Sequence, residues 1–261
     1  MKISSKDNAL IKEVRKLRDK KHRLEKGEFL IEGFRFVEEA LKSSFEVSAI
    51  FLEENSIDKW ESYTLQEKLQ LNTKVYIVTS SILKFISNTE NPQGVAAIIK
   101  NRASVLNKQD GFYVLVDKLQ DPGNLGTIIR SSHAAGASGV LMTKGTVDAY
   151  NEKTLRSTMG SIFNIPVIED EELTLVKELK ASGFKLVVSS LEDSENFYNA
   201  DLRDKVIIAV GNEGAGISEE VYGLGDLKVK IPMPGGAESL NAGAAASIMI
   251  FEIVRQKLTT K

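Results

Sequence analysis

The chain has no cysteine and only two histidines, His22 and His133. Disulfides, thiolate zinc sites and cysteine nucleophiles are therefore excluded, and a histidine-rich metal site is not expected. Counting does not exclude a magnesium ion held by carboxylates. No run of apolar residues reaches the ~18 that a membrane span requires, and the first twenty residues, MKISSKDNALIKEVRKLRDK, hold no apolar core with a small-residue cleavage site. A soluble protein of the cytoplasm is expected. No internal repeat or low-complexity tract is evident, and neither a G-x-G-x-x-G fingerprint nor a Walker-type G-K-[ST] occurs; Glu219 stands where the last glycine of the former would fall if Gly214 and Gly216 opened it.

What is present is a hydrophobic fraction of 42% in 261 residues, enough for two domains of ordinary size. Charge is uneven. Residues 1–26 carry ten Lys or Arg against four Asp or Glu, whereas the whole chain has a net charge of −2, so any phosphate-binding surface is concentrated. The apolar series Leu10, Ile11, Val14 and Leu17 would anchor one helix face. Lys12, Arg15, Lys16, Arg18, Lys20, Lys21 and Arg23 then form either a solvated face or a basic arm that meets a polyanion backbone.

Alternating patterns predict strands at 28–32, 47–52, 75–78 and 95–99 and helices at 34–42, 65–71 and 82–87, a small α/β unit covering residues 1–105. A polar segment without a period, 100–111, reads as a linker. Beyond it, residues 112–261 form a second unit, with apolar strands predicted at 112–116, 139–142, 185–189, 206–210 and 228–231 and helices at 173–181 and 241–257. Strands alternating with helices imply a mostly parallel sheet.

Three blocks of this second unit each join a strand to a helix, the edge where open α/β sheets bind ligands. The first, Asp117 to Arg130, places Asp121 or Asn124 at a helix start and Arg130 almost two turns further on, where it could pair a phosphate or a core-edge carboxylate. In the second, Gly211-Asn212-Glu213-Gly214-Ala215-Gly216, Glu213 is the one charged residue in a loop whose backbone can follow a ligand closely; an exposed turn is the plain alternative. The third, Ile231 to Asn241, holds two prolines, two glycines, Ser239 and Asn241. Capping explains one of those two polar residues and leaves the other for a ligand.

Taken together, N-x-G-x-x-x-R at 124–130, G-N-E-G at 211–214 and I-P-M…S-L-N at 231–241 resemble the SpoU (TrmH-type) branch of the SPOUT RNA methyltransferases. Residues 112–258 carry the resemblance. The first hundred residues look more loosely like the RNA-binding domain often attached to that family, which is similar to ribosomal proteins that bind kink-turns. The resemblance implies a parallel sheet whose C-terminal segment is threaded into a trefoil knot, and a homodimer with the site near the subunit interface. It implies S-adenosyl-L-methionine as cofactor, contacted near Gly211, Asn212, Gly214, Ile231, Met233 and Leu240. The implied reaction is methyl transfer to a ribose 2′-hydroxyl of RNA, with ribosomal RNA favoured by the two-domain form. In that reaction Arg130 faces the hydroxyl and its phosphate, held by Asn124 and oriented by Glu213, while Ser239 and Asn241 contact substrate or shape the cofactor loop. A transfer-RNA target and a non-catalytic RNA-binding or ribosome-associated role are the alternatives. His133 reads as a helix residue without catalytic duty.

Overall fold

The computed structural model describes residues 2–87, 89–102, 106–190 and 194–259. The chain divides into two compact units, one of residues 1–103 and 150–155, the other of 104–149 and 156–261. Of the expected linker, residues 103–105 lie outside the described ones. None of the described helices is long and apolar enough to cross a membrane.

The first unit runs β1 (Lys2–Ile3), α1 (Ala9–Lys16), α2 (Lys20–Lys26), β2 (Glu28–Glu32), α3 (Phe34–Lys42), β3 (Val47–Glu53), α4 (Ile57–Ser62), β4 (Lys74–Val78), α5 (Ser80–Ser87) and β5 (Val95–Lys100). Its sheet has the order β1-β4-β3-β5-β2, with β5 antiparallel to both β2 and β3 and the remaining pairs parallel. Asn8 starts α1 by accepting the Leu10 N–H at 2.9 Å, and Gly27, at φ 63°, ends α2. Ile11, Val14 and Leu17 are buried in one cluster with Ile82, Leu83 and Ile86 of α5, so the apolar series anchors the helix as its spacing predicts. The basic residues divide. The Arg15 guanidinium lies 3.8 Å from the Phe85 ring centre, Lys12 pairs with Asp7 and Lys16 with Glu13. Arg23 leaves the expected basic face altogether: it is buried, and its guanidinium donates to the carbonyls of Leu17 and Arg18, tying α1 to α2.

The helix expected at 65–71 forms only a single 3-10 turn, Leu65–Lys68, and Leu71 is fully exposed. The reason is Gln70, whose side chain accepts the Val47 N–H and donates to the Phe45 carbonyl, both at 2.8 Å, and so holds the chain extended beside the start of β3.

The second unit comprises β6 (Phe112–Val116), α6 (Pro122–Ala134), β7 (Gly139–Met142), α7 (Glu152–Thr158), whose first residues fall in the first unit, β8 (Val167–Glu169), α8 (Thr174–Ala181), β9 (Lys185–Ser189), β10 (Glu195–Asn196), β11 (Val206–Val210), α9 (Glu219–Leu224), β12 (Leu227–Lys230) and α10 (Ala242–Leu258). Seven strands pair in the order β10-β12-β9-β11-β6-β7-β8, and every pair is parallel. The central strands β6 and β11 are buried at all positions, which is why both read as unbroken apolar runs rather than alternating ones. Helices α6 and α10 pack closely. A Cβ on Gly243 would meet Thr127 at 3.2 Å, and the hydroxyls of Ser131 and Ser247 are 2.8 Å apart.

Because every strand is parallel, the ends of β6, β11 and β12 emerge at one sheet edge, and the three blocks leave from that edge. The order of strands makes the last of these connections cross back: β12 lies on the far side of β9 and β11, yet the chain that leaves it must return to α6 to begin α10.

Candidate functional site

The first block begins with a carboxylate at the end of an apolar strand. Asp117 is fully buried; one of its oxygens accepts the Thr143 hydroxyl at 2.8 Å and the other the Ser218 backbone N–H at 2.6 Å. Two partners offset the cost of burying the group, and the second ties the 117–120 turn to the loop after β11. Sequence reading passed Asp117 over as part of a turn. Its signal was position, a lone acid directly after five apolar residues. Lys118 follows in the left-handed region at φ 52°. Asp121 then caps α6 by accepting the Asn124 N–H at 2.7 Å, with Pro122 in the first turn, where its missing N–H costs nothing.

The second block is shaped by the absence of a side chain at Gly211. A Cβ there would sit 2.3 Å from the Gly216 carbonyl carbon and oxygen. Gly216 approaches so closely because it exchanges two backbone hydrogen bonds with Asn212, at 2.9 and 3.0 Å. The Asn212 side chain completes the turn. Its oxygen accepts the N–H groups of Gly214 and Ala215, and its nitrogen donates to the Lys118 carbonyl at 2.9 Å, a second tie to the first block.

In the third block Asn241 caps α10, its oxygen accepting the Ala244 N–H at 3.1 Å. Its amide nitrogen donates to the Asn124 side-chain oxygen at 2.8 Å, and the Asn124 nitrogen donates in turn to Glu213 Oε1 at 2.9 Å. One residue from each block thus enters a single chain of hydrogen bonds, Asn241 to Asn124 to Glu213. Longer contacts of 3.4 and 3.5 Å bring the N–H groups of Asp121 and Gln120 to the same carboxylate. Burial pushes the Glu213 carboxyl up, but the hydrogen bonds from Asn124 and from the backbone of Glu213, Gln120 and Asp121 outweigh it and hold the group below the usual glutamate range. Glu213 is therefore an anion at neutral pH.

Two expected residues stand outside this chain. Among the described residues, the Arg130 side chain has no hydrogen-bond or ion-pair partner. It is exposed on α6, and the Asn124 and Glu213 side chains expected to hold and orient it are bonded to each other. Ser239 is exposed and has no side-chain partner among the described residues, so the cap falls to Asn241. His133 Nδ1 lies 3.1 Å from the Ser161 hydroxyl, away from the three blocks.

The residues expected around a cofactor fit a ligand bound by backbone and apolar contact. Ile231 and Met233 are half-buried and Leu240 is 37% exposed. The one backbone bond internal to this loop, among the described residues, joins the Gly236 N–H to the Met233 carbonyl, and a Cβ on Gly235 or Gly236 would meet nothing within 4 Å. Such a loop offers free N–H and C=O groups beside exposed aliphatic surface, which suits an adenosine carrying a sulfonium side chain.

Comparison with known proteins identifies the family. Residues 111–251 match the SpoU rRNA Methylase family, and residues 8–97 match an MRM3-like substrate binding domain. The chain is 36% identical over 254 residues to a 23S rRNA (guanosine(2553)-2'-O)-methyltransferase of Bacillus subtilis, with 96% of this chain and 98% of that protein covered. It superposes on an AdoMet-bound rRNA methyltransferase from Sinorhizobium meliloti with a TM-score of 0.86 at 32% identity, covering 98% of this chain and 97% of the other. The SpoU methyltransferase AviRb from Streptomyces viridochromogenes, also in complex with AdoMet, gives a TM-score of 0.87 at 29% identity over 97% and 99% of the two chains.

Proposed function

The chain belongs to the SpoU rRNA methylase family, and on that premise we propose that it methylates a ribose 2′-hydroxyl of ribosomal RNA with S-adenosylmethionine as donor. The observation that carries the reading is the hydrogen-bond chain through Asn241, Asn124 and Glu213, which closes three distant loops over one edge of the sheet. Relatives that match nearly the whole chain are named for 2′-O-methylation of 23S rRNA, which favours ribosomal over transfer RNA.

S-adenosylmethionine, when bound, supplies a methyl group already activated by the sulfonium. The backbone of Gly211 and the aliphatic side chains of Ile231 and Leu240 would hold it, with Asn212, Gly214 and Met233 shaping the loop. What remains for the protein is to place a weakly nucleophilic hydroxyl and to steady its charge as the proton leaves. Arg130 does this electrostatically, on the hydroxyl and the adjacent phosphate; a guanidinium with a pKa above about 12 makes a poor base. Asn124, Glu213 and Asn241 fix the loop edge and shape the cofactor loop, and the exposed Ser239 contacts the substrate.

The protein acts as a homodimer in the cytoplasm. The exposed positions of Arg130 on α6 and Phe251 on α10 support a partner surface there, so that Arg130 reaches the hydroxyl at a partner's cofactor loop. The return of the chain from β12 to α10, across the edge already crossed by the 211–218 loop, supports a trefoil knot, a rare exception to the rule against crossing connections. Residues 1–105 bind the RNA and residues 112–261 carry the transfer.

Mapping 2′-O-methyl groups in ribosomal RNA of a deletion strain tests the function. One position is expected to lose its mark and to regain it with the wild-type chain but not with Arg130→Ala, which keeps its S-adenosylmethionine affinity. An unchanged map, or full rescue by Arg130→Ala, contradicts the assignment.

A further inference from the structure

Beside the Asn124–Glu213 link, a cleft of about 630 Å³ opens between the 117–120 turn and the 212–220 segment, lined among others by Lys118, Gln120, Ser218, Glu219 and Glu220. Asn212, Ala215 and Gly216 line it too, so it borders the glycine loop assigned to the cofactor, while Lys118, Gln120, Ser218, Glu219 and Glu220 lie outside that loop. Its volume lies within the ~300–1,000 Å³ typical of small-ligand sites and has room for one nucleotide.

Two side chains of the cleft lack a structural account. Lys118 is held at φ 52°, a conformation that costs an L-residue steric strain which glycine would avoid. The fold holds that conformation, since the Lys118 N–H donates to the Thr143 hydroxyl at 3.0 Å and its carbonyl accepts the Asn212 and Gln120 amides, but its ammonium has no partner among the described residues. At the same time the Ser218 hydroxyl is shielded from solvent with no hydrogen-bond partner, an orphaned polar group in the cleft lining. Glu219 and Glu220, in the first turn of α9, line the same cleft as Lys118, so it offers both signs of charge to a ligand: phosphate toward Lys118, hydrogen-bond donors toward the acids.

We propose that this cleft takes a nucleotide of the substrate RNA next to the one methylated, with Lys118 on its phosphate and Ser218, Glu219 and Glu220 receiving the amino-bearing edge of a guanine or cytosine. The assignment rests on the RNA reading above and adds to it a subsite that selects sequence. Base edges specify and phosphate contacts position, and carboxylates accept from exocyclic amino groups as they do from cytosine N4.

The test uses the full chain and unmodified ribosomal RNA from the deletion strain, with kcat and KM for methyl transfer and filter binding at several salt concentrations. Lys118→Ala is expected to raise KM for RNA about ten-fold with kcat and S-adenosylmethionine affinity nearly unchanged, and to reduce the salt slope of RNA binding by about 1. Lys118→Gly is expected to lose RNA affinity equally while resisting urea better than wild type, since it relieves the backbone. Glu219→Gln with Glu220→Gln, which keeps the shape and removes the charge, is expected to raise KM. Unchanged KM and salt slope in both Lys118 variants overturn the phosphate assignment, and a lowered KM in the double variant overturns the base assignment. Wild-type protein that transfers no methyl group overturns the RNA reading itself, a result distinct from the other two.

Discussion

Asn124 joins three loops with one amide: its oxygen receives Asn241, its nitrogen reaches Glu213, and its backbone N–H is capped by Asp121. Gly211 acts by omission. With a methyl group only 2.3 Å from the Gly216 carbonyl, Gly211→Ala must push apart the Asn212–Gly216 pair, and overpacking of that kind costs about 1–3 kcal/mol. Urea unfolding is expected to show that loss together with weakened S-adenosylmethionine binding in calorimetry; wild-type stability and binding would mean the loop tolerates a Cβ. At this scale the sequence was readable wherever a polar residue interrupts glycines at a strand end, as with Asn124, Glu213 and Asn241. It was not readable for hydrogen-bond partners. Asp117 sits 101 residues from the Ser218 N–H it accepts, and only folding brings the two together. The pairing of Asn124 with Glu213 rather than Arg130 was likewise hidden, because helix spacing gives a side chain's angle and not the competitor that captures its partner.

At the scale of elements, Asn241 has two separable duties, the cap of α10 and the link to Asn124. Serine caps about as well as asparagine but has no amide to reach Asn124. Asn241→Ser is therefore expected to unfold within about 0.5 kcal/mol of wild type yet to lose methyl transfer by roughly a hundred-fold, as misplaced site loops do. Equal losses of stability and activity would reduce Asn241 to a cap. Long elements with a clear period were legible: 28–32, 34–42, 112–116 and 206–210 run as the pattern predicts. Short ones were not. The strands β8 and β10 have three and two residues, too few for a period, and α9 is six residues long with one buried residue, Val221. The 3-10 turn at 65–68 was overread because the Gln70 side chain, bonded across to 45 and 47, overrides local helical preference.

At the scale of the molecule, a parallel sheet was implied by alternating strands and helices, but the order in which the strands pair was not. That β12 lies outside β9, so that α10 begins only after the chain has crossed back, follows from tertiary packing alone. So does the grouping of residues 150–155 with the first unit, which no reading of consecutive residues would divide from its neighbours. On the proposed reading, a methyl group is placed on a ribose oxygen at the edge where the three loops meet. The most direct measurement incubates the purified chain with methyl-labelled S-adenosylmethionine and unmodified ribosomal RNA, then hydrolyses the RNA in alkali. A 2′-O-methyl group blocks cleavage at its own nucleotide, so the label is predicted in a single alkali-resistant dinucleotide. Label released as a methylated mononucleotide, or no label at all, would contradict the account.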